Sequence, residues 1–219
     1  MNYHQIKKDD LLNGDGIRVT VFLSGCDHHC HGCHNPQTWN PNSGKPFDEK
    51  AEAEFFAELE KDYVSGVTFS GGDPLNDANV EDLYWLCVEI KKHSPNKTIW
   101  IYTGYTLEEI YKDYKDVRSL SLKEGGYLID KPEAWRVALL NEIDVLVDGK
   151  FEEDKADVNY PWAGSTNQRV IDMKKTMSIH KKVLGTNGIK ELVEDKPLDY
   201  YIQQIIENPD QNIVLYESK

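Results

Sequence analysis

Four short runs of β-branched, aliphatic and aromatic residues alternate with amphipathic helical stretches, and this alternation points to a parallel sheet covered by helices. The first run is Ile17 to Leu23, bounded by Gly14-Asp15-Gly16 and Ser24-Gly25. The others are Val64 to Phe69, Thr98 to Thr103 and Ile143 to Val147. From Asp48 to about Tyr63 the apolar positions Ala51, Phe55, Leu59 and Tyr63 recur every four residues, which predicts a helix. Val80 to His93 sets Leu83, Leu86, Cys87 and Ile90 on one side of a second. Thr106 to Tyr114 is helical by composition, and Pro132 can open a further helix at its first turn. Asn40 to Pro46 holds two prolines and a glycine and reads as loop. Parallel strands joined through helices use right-handed crossovers, which bring the loops after the strands to one rim.

The unusual residues of the chain fall on that rim. Cys26, Cys30 and Cys33 follow the first strand, and Gly71-Gly72-Asp73 follow the second. Tyr102 to Tyr105 close the third, and Asp148-Gly149-Lys150 follow the fourth. In a parallel α/β architecture this is where substrates and cofactors bind.

The cysteines form a C-x3-C-x2-C run, Cys26 to Cys33, on a loop. Thiolates so spaced can ligate three irons of a cubane cluster and leave the fourth iron open for a ligand. The alternative is zinc, because His28, His29, His31 and His34 sit among the cysteines and one of them would complete a Cys3His site. Structural zinc loops usually pair two ligands here with two more farther along, and this chain has no second knuckle. The histidines read better as solvated residues or as hydrogen-bond donors to the sulfurs. Cys87, on the apolar side of its helix, reads as a small buried hydrophobe. Ser70-Gly71-Gly72-Asp73-Pro74 is by itself equally a tight turn, and a lone Asp-Gly-Lys at a strand end is usually a solvated one.

Charge and length exclude several classes. With a net charge of -13 and a pI near 4.9, the chain lacks the basic patch of a nucleic-acid binder. Its longest apolar runs are far too short to span a bilayer, and Met1-Asn2-Tyr3-His4 does not begin a secretory signal, so a cytoplasmic protein is expected. There thiols stay reduced, which favours metal or redox chemistry over disulfides for the four cysteines. At 219 residues the chain has room for one full-sized domain and a small appendage.

A C-x3-C-x2-C run after the first strand with a Gly-Gly-acid motif after the second resembles the radical S-adenosylmethionine superfamily. More specifically, Asn13-Gly14-Asp15-Gly16-Ile17-Arg18, Gly25 to Trp39, Tyr102 to Thr106, Ile143 to Phe151 and Gly164 to Arg169 together resemble the activases of class III, oxygen-sensitive ribonucleoside-triphosphate reductase. Each motif alone is weak, and their order and spacing are specific. The resemblance implies a partial (β/α) barrel with a parallel sheet as the α/β core, spanning residues 1–175, and a C-terminal α/β appendage over 176–219. It implies a 4Fe-4S cluster on Cys26, Cys30 and Cys33, and S-adenosyl-L-methionine held by Gly71, Gly72 and Asp73 at the methionine amino group. Gly32, Cys33 and His34 would pass near the adenine, and Asp148 and Lys150 near the ribose and carboxylate. The sequence departs from the pattern at His34, where such activases often carry tyrosine, and at Asp73, where glutamate is usual.

The implied activity is reductive cleavage of S-adenosylmethionine and abstraction of a glycine hydrogen, with no catalytic side chain needed beyond the cluster. The implied partners are the glycyl-radical subunit of anaerobic ribonucleoside-triphosphate reductase and a one-electron donor such as flavodoxin, with neither nucleic acid nor membrane. Three other readings stay open on sequence alone: an activase of another glycyl-radical enzyme such as pyruvate formate-lyase, a radical enzyme for a small molecule, or a zinc-stabilised interaction module. Beyond about Met177, Leu198, Tyr201, Ile202 and Ile205 have helix spacing, Asn187-Gly188 marks a turn, and Ile213 to Tyr216 suits a closing strand.

Overall fold

All four strands read from the sequence form, and each is buried on both faces. The computed structural model describes residues 1–124, 131–184 and 198–218. Its strands are β1 (Asn2–Asp10), β2 (Arg18–Leu23), β3 (Lys45–Pro46), β4 (Gly66–Gly71), β5 (Thr98–Tyr102), β6 (Val145–Asp148) and β7 (Arg169–Asp172). Its helices are α1 (Glu49–Leu59), α2 (Val80–His93), α3 (Leu107–Glu124), α4 (Pro132–Leu140), α5 (Met173–Leu184), α6 (Leu198–Glu207) and α7 (Pro209–Asn212). One seven-stranded sheet runs in the order β3-β1-β2-β4-β5-β6-β7. The central strands β2, β4, β5 and β6 are parallel, as the alternation predicts.

The sheet is not parallel throughout. β1 pairs antiparallel with β2, β3 with β1, and β7 with β6. A hairpin at one edge and a returning strand at the other thus extend the parallel core, and the mixed α/β architecture is that of a partial (β/α) barrel.

Period-two alternation divides each central strand between two environments. Val19, Val21 and Leu23, Val67 and Phe69, Ile99 and Ile101, and Leu146 face the helices and join Phe55, Leu83, Ile90 and Ile110 in the main core. The opposite face holds Trp100, Val145 and Val147, packed with Tyr102, Trp162 and Tyr216. Toward the N-terminal ends of the strands this inner face contains Arg18, which is fully buried. Its guanidinium donates to Thr68 Oγ1 (2.7 Å), Val67 O (2.6 Å), Asp15 O, Thr98 O and Thr98 Oγ1, and lies 5.1 Å from the Trp100 ring centroid. Every donor direction is used, so the buried cation is tolerated without a carboxylate, though burial lowers its pKa to about 10.

Several boundaries differ from the sequence reading. α1 ends at Leu59 and Tyr63 is exposed, because the chain must turn at Glu60–Tyr63 to enter β4. Thr106 to Tyr114 lengthens into α3, and Ile213 to Tyr216 forms only a bridge, Ile171 with Leu215, flanked by Asp172 N–H to Val214 O and Tyr216 N–H to Val170 O. α6 forms where its spacing predicts, with Ile202 and Ile205 in the main core. The turn expected at Asn187-Gly188 lies outside the described residues.

Candidate metal and ligand site

The loop after β2 is closed at its neck by Gly25 N–H to Thr38 O (2.7 Å) and Cys26 N–H to Trp39 O (3.0 Å). Between these points the chain turns at His29 (φ 46°) and Gly32 (φ 70°), and Cys33 N–H bonds to Cys30 O. The loop therefore presents Cys26, Cys30 and Cys33, all partly exposed free thiols, toward one cavity. Burial pushes the Cys26 thiol up to about 11; backbone N–H groups of His28 and His29 oppose this and the Asp73 charge adds to it. The Asn35 N–H donates to Cys33 Sγ at 3.4 Å, the kind of contact that stabilises a metal-bound thiolate.

The cavity measures about 520 Å³, within the range of small-ligand sites. Besides the three cysteines it is lined by His34, Gly71, Gly72, Asp73, Thr103 and Gly149. Three of the strand ends that sequence reasoning placed on one rim, those of β2, β4 and β5, therefore do converge. Of the fourth cluster, Asp148-Gly149-Lys150, Gly149 alone lines the cavity, and Phe151 joins it from just beyond. Asp148 is buried away from it: its carboxylate accepts from Arg169 and from Leu107 N–H at the start of α3. Burial raises its pKa while the Arg169 charge opposes the shift. Lys150 is exposed, and Gly32 lies beside Glu153.

The four histidines of the loop have separate partners. His28 Nε2 lies 2.6 Å from Asp73 Oδ2, His29 packs on Trp39, and His34 packs on Phe151 with ring centroids 5.1 Å apart. His31 pairs with Glu153 in solvent, where such a pair contributes little.

Two further segments line the cavity that the sequence reading did not assign to it. Leu11, Leu12 and Asn13 come from the turn between β1 and β2, which is fixed by the buried Asp10 carboxylate accepting from Leu12 N–H, Asn13 Nδ2 and Lys7 Nζ. Val158 to Gly164 come from the long connection before β7, which Gln168 pins by accepting from Gly164 N–H and donating to Gly149 O. Leu11, Leu12 and Val158 are largely exposed apolar side chains at the cavity mouth. The exposed pair Leu11-Leu12 and the Tyr160-Pro161-Trp162 run are the signals that could have marked these segments.

The donor set fits a multi-iron cluster. Among the described residues no three His, Cys, Asp or Glu side chains converge as the ligands of one ion would. A cubane does not ask this of its cysteines, each of which binds a different iron.

Comparison with known proteins agrees with this geometry. The family described as a 4Fe-4S single cluster domain matches residues 12–171. The chain is 40% identical over 170 residues to the anaerobic ribonucleoside-triphosphate reductase-activating protein of Pasteurella multocida, covering 77% of this chain and 95% of that protein. To the protein of the same description from Escherichia coli K12 it is 39% identical over 176 residues, 80% of this chain and all of the relative. The corresponding protein of Enterobacteria phage T4 is 35% identical over 170 residues, 78% of this chain and 93% of its own.

Proposed function

This chain belongs to the family of anaerobic ribonucleoside-triphosphate reductase-activating proteins, with its 4Fe-4S cluster domain, and from that premise we propose how its residues serve the activation of the reductase. When bound, the cluster supplies one electron to the sulfonium of S-adenosylmethionine, and the cleavage that follows supplies the radical that takes a hydrogen atom from a glycine of the reductase.

The chain's own work is ligation and placement. Cys26, Cys30 and Cys33 hold three irons and leave one for the ligand. The Gly71-Gly72-Asp73 segment receives the methionine moiety, where glycines let backbone come close. Backbone at Gly32, Cys33 and His34 passes the adenine. The ribose side falls to Asp148-Gly149-Lys150, with Gly149 facing the cavity and Asp148 holding the segment through Arg169 and α3. The apolar mouth at Leu11, Leu12 and Val158 receives the glycine-bearing segment of the reductase, which has no side chain at the reacting carbon to obstruct entry.

A protein of the flavodoxin type serves as the one-electron donor. The reaction takes place in the cytoplasm, where thiols stay reduced. No helix among the described residues is long and apolar enough to cross a membrane.

The observation that carries this reading is that three thiols and the Gly71-Gly72 strand end face one cavity with an exposed apolar mouth. The test is anaerobic reconstitution, then electron paramagnetic resonance of the reduced protein with and without S-adenosylmethionine, then co-incubation with the reductase or with pyruvate formate-lyase. A cluster signal that changes with the ligand and a glycyl radical on the reductase alone are expected. A signal indifferent to the ligand removes the assignment of the cavity, and a radical only on pyruvate formate-lyase removes the assignment of the mouth.

A further inference from the structure

The Asp73 carboxylate, at the end of β4, is already fully engaged. It is 2% exposed. Oδ1 accepts from Leu75 N–H (2.8 Å) and Oδ2 from Gly104 N–H (2.9 Å), while the Thr103 hydroxyl lies 3.0 Å from both oxygens. His28 Nε2 completes the set at 2.6 Å from Oδ2. Facing a carboxylate oxygen, that nitrogen carries its hydrogen and donates it. A carboxylate offers about four lone-pair directions, and four donor groups occupy them.

The partner imidazole is held as closely. Its ring meets Tyr105 edge-on with centroids 4.6 Å apart, and a Cβ on Gly104 would lie 2.3 Å from its Cδ2. Tyr105 is backed by Arg136 of α4, whose guanidinium lies 4.7 Å from the ring centroid and donates through Nε to Leu75 O. The slot made by Asp73, Thr103, Gly104 and Tyr105 thus fits one imidazole, and that imidazole stands two residues from Cys26 and two from Cys30.

We infer that Asp73 and His28 form a latch: the Asp73 carboxylate is a positioning residue that fixes the cysteine loop, through His28, against the ends of β4 and β5. This rests on the cluster and ligand assignment above and refines it. The methionine amino group is then met by the Gly71-Gly72 backbone and not by the Asp73 side chain. A carboxylate one methylene longer would be driven into the Thr103 and His28 contacts.

The test uses iron-loaded full-length protein and the variants His28→Ala, His28→Gln, Asp73→Asn, Asp73→Glu and His28→Ala/Asp73→Asn. Iron release to a chelator is followed, and S-adenosylmethionine affinity is titrated through the spectrum of the reduced cluster. Losing a group that orients metal ligands typically weakens metal holding by about 10- to 100-fold. His28→Ala and Asp73→Asn should each speed iron release by that order, and the double variant should be no faster than the faster single, since both remove one interaction. His28→Gln, which keeps an N–H donor, should recover most of the loss, a recovery that general destabilisation of the fold would not produce. Asp73→Glu should behave like Asp73→Asn.

Additive effects in the double variant would overturn the latch. So would wild-type behaviour of His28→Ala beside an Asp73→Asn that loses only the ligand, or an Asp73→Glu that binds S-adenosylmethionine as well as wild type. A wild-type protein whose cluster ignores S-adenosylmethionine would instead count against the ligand assignment, and iron release would still decide the latch.

Discussion

At Gly72 the end of β4 runs directly against the backbone of Gly25 at the neck of the cysteine loop, and Gly72→Ala should injure the site beyond its effect on stability. A Cβ there would stand 2.5 Å from Gly25 O and 3.0 Å from Gly25 C and N, all backbone atoms. Gly25 cannot simply retreat: its carbonyl accepts from Asp73 N–H at 2.6 Å and its amide donates to Thr38 O at 2.7 Å, at the neck of the loop. To bring the Cβ contact out to 3.0 Å, the closest that real Cβ atoms come, the two segments must part by about 0.5 Å. Overpacking of this kind costs about 1–3 kcal/mol. For a domain of this size that is a fall in Tm of roughly 2–12 °C. Since a misplacement of about 1 Å can cost a hundredfold in rate, half of it should reduce glycyl-radical formation by about tenfold. The control is Gly66→Ala at the other end of the same strand, where a Cβ would lie 2.0 Å from Thr98 O, a worse clash far from the cysteines. Thermal unfolding of both variants, and S-adenosylmethionine titration well below their Tm, separate the effects. Gly66→Ala should lose more stability and keep its affinity, and Gly72→Ala the reverse. Equal loss of affinity in both, or none in Gly72→Ala, would refute the argument from proximity.

Two further outcomes follow from other parts of the structure. Burial raises the Asp144 pKa, but hydrogen bonds from Lys174, Lys91 and Ile99 N–H outweigh it and hold the carboxyl below its ordinary value. Its contribution to stability is therefore present above about pH 4 and lost as pH falls through the folded value. Asp144→Asn should cost about 2 kcal/mol at pH 7, and denaturant curves should show the gap from wild type closing toward pH 2; a gap constant with pH would contradict this. At the cavity mouth, Leu12→Glu and Val158→Glu change exposed side chains and should alter stability by less than about 0.5 kcal/mol. Both should leave the ligand-dependent cluster spectrum intact and lower the radical yield on the reductase, and an unchanged yield would move the docking site elsewhere.

What could be read in advance depended on whether a segment's burial is local. The strand TIWIYT and the helix Val80–His93 are legible because their own side chains declare both faces. β1 is not, since NYHQIKKDD alternates weakly and takes its place only by pairing with β2. β7 likewise exists through β6, some twenty residues earlier in the chain, and an expectation drawn from strand-helix alternation had no way to reverse its direction.

The same distinction runs through the site. Cysteine spacing states a ligation chemistry outright, because the three ligands share one short loop. Carboxylates are different, since a carboxylate at a strand end is the same sequence signal whatever it faces. Asp148 proves to serve Arg169 and the start of α3, while Asp73 serves Thr103, Gly104 and a histidine 45 residues before it. Neither commitment is visible without the fold, because one is made across the antiparallel β6–β7 pair and to the start of α3, and the other between the ends of parallel strands. The cysteine loop is also tied to the segment before α2 through Asn76 and Asn79, which donate to Asp27 and to Ser24 O. α2 shows what accompanies this attachment: Asn79 Nδ2 donates to the Ser24 and Asp73 carbonyls, while its Oδ1, the atom that could cap the helix, makes no cap. A helix cap is worth about 1 kcal/mol. Giving it up makes sense where the position of a loop matters more than the stability of a helix, which is the condition a ligand-binding cluster imposes.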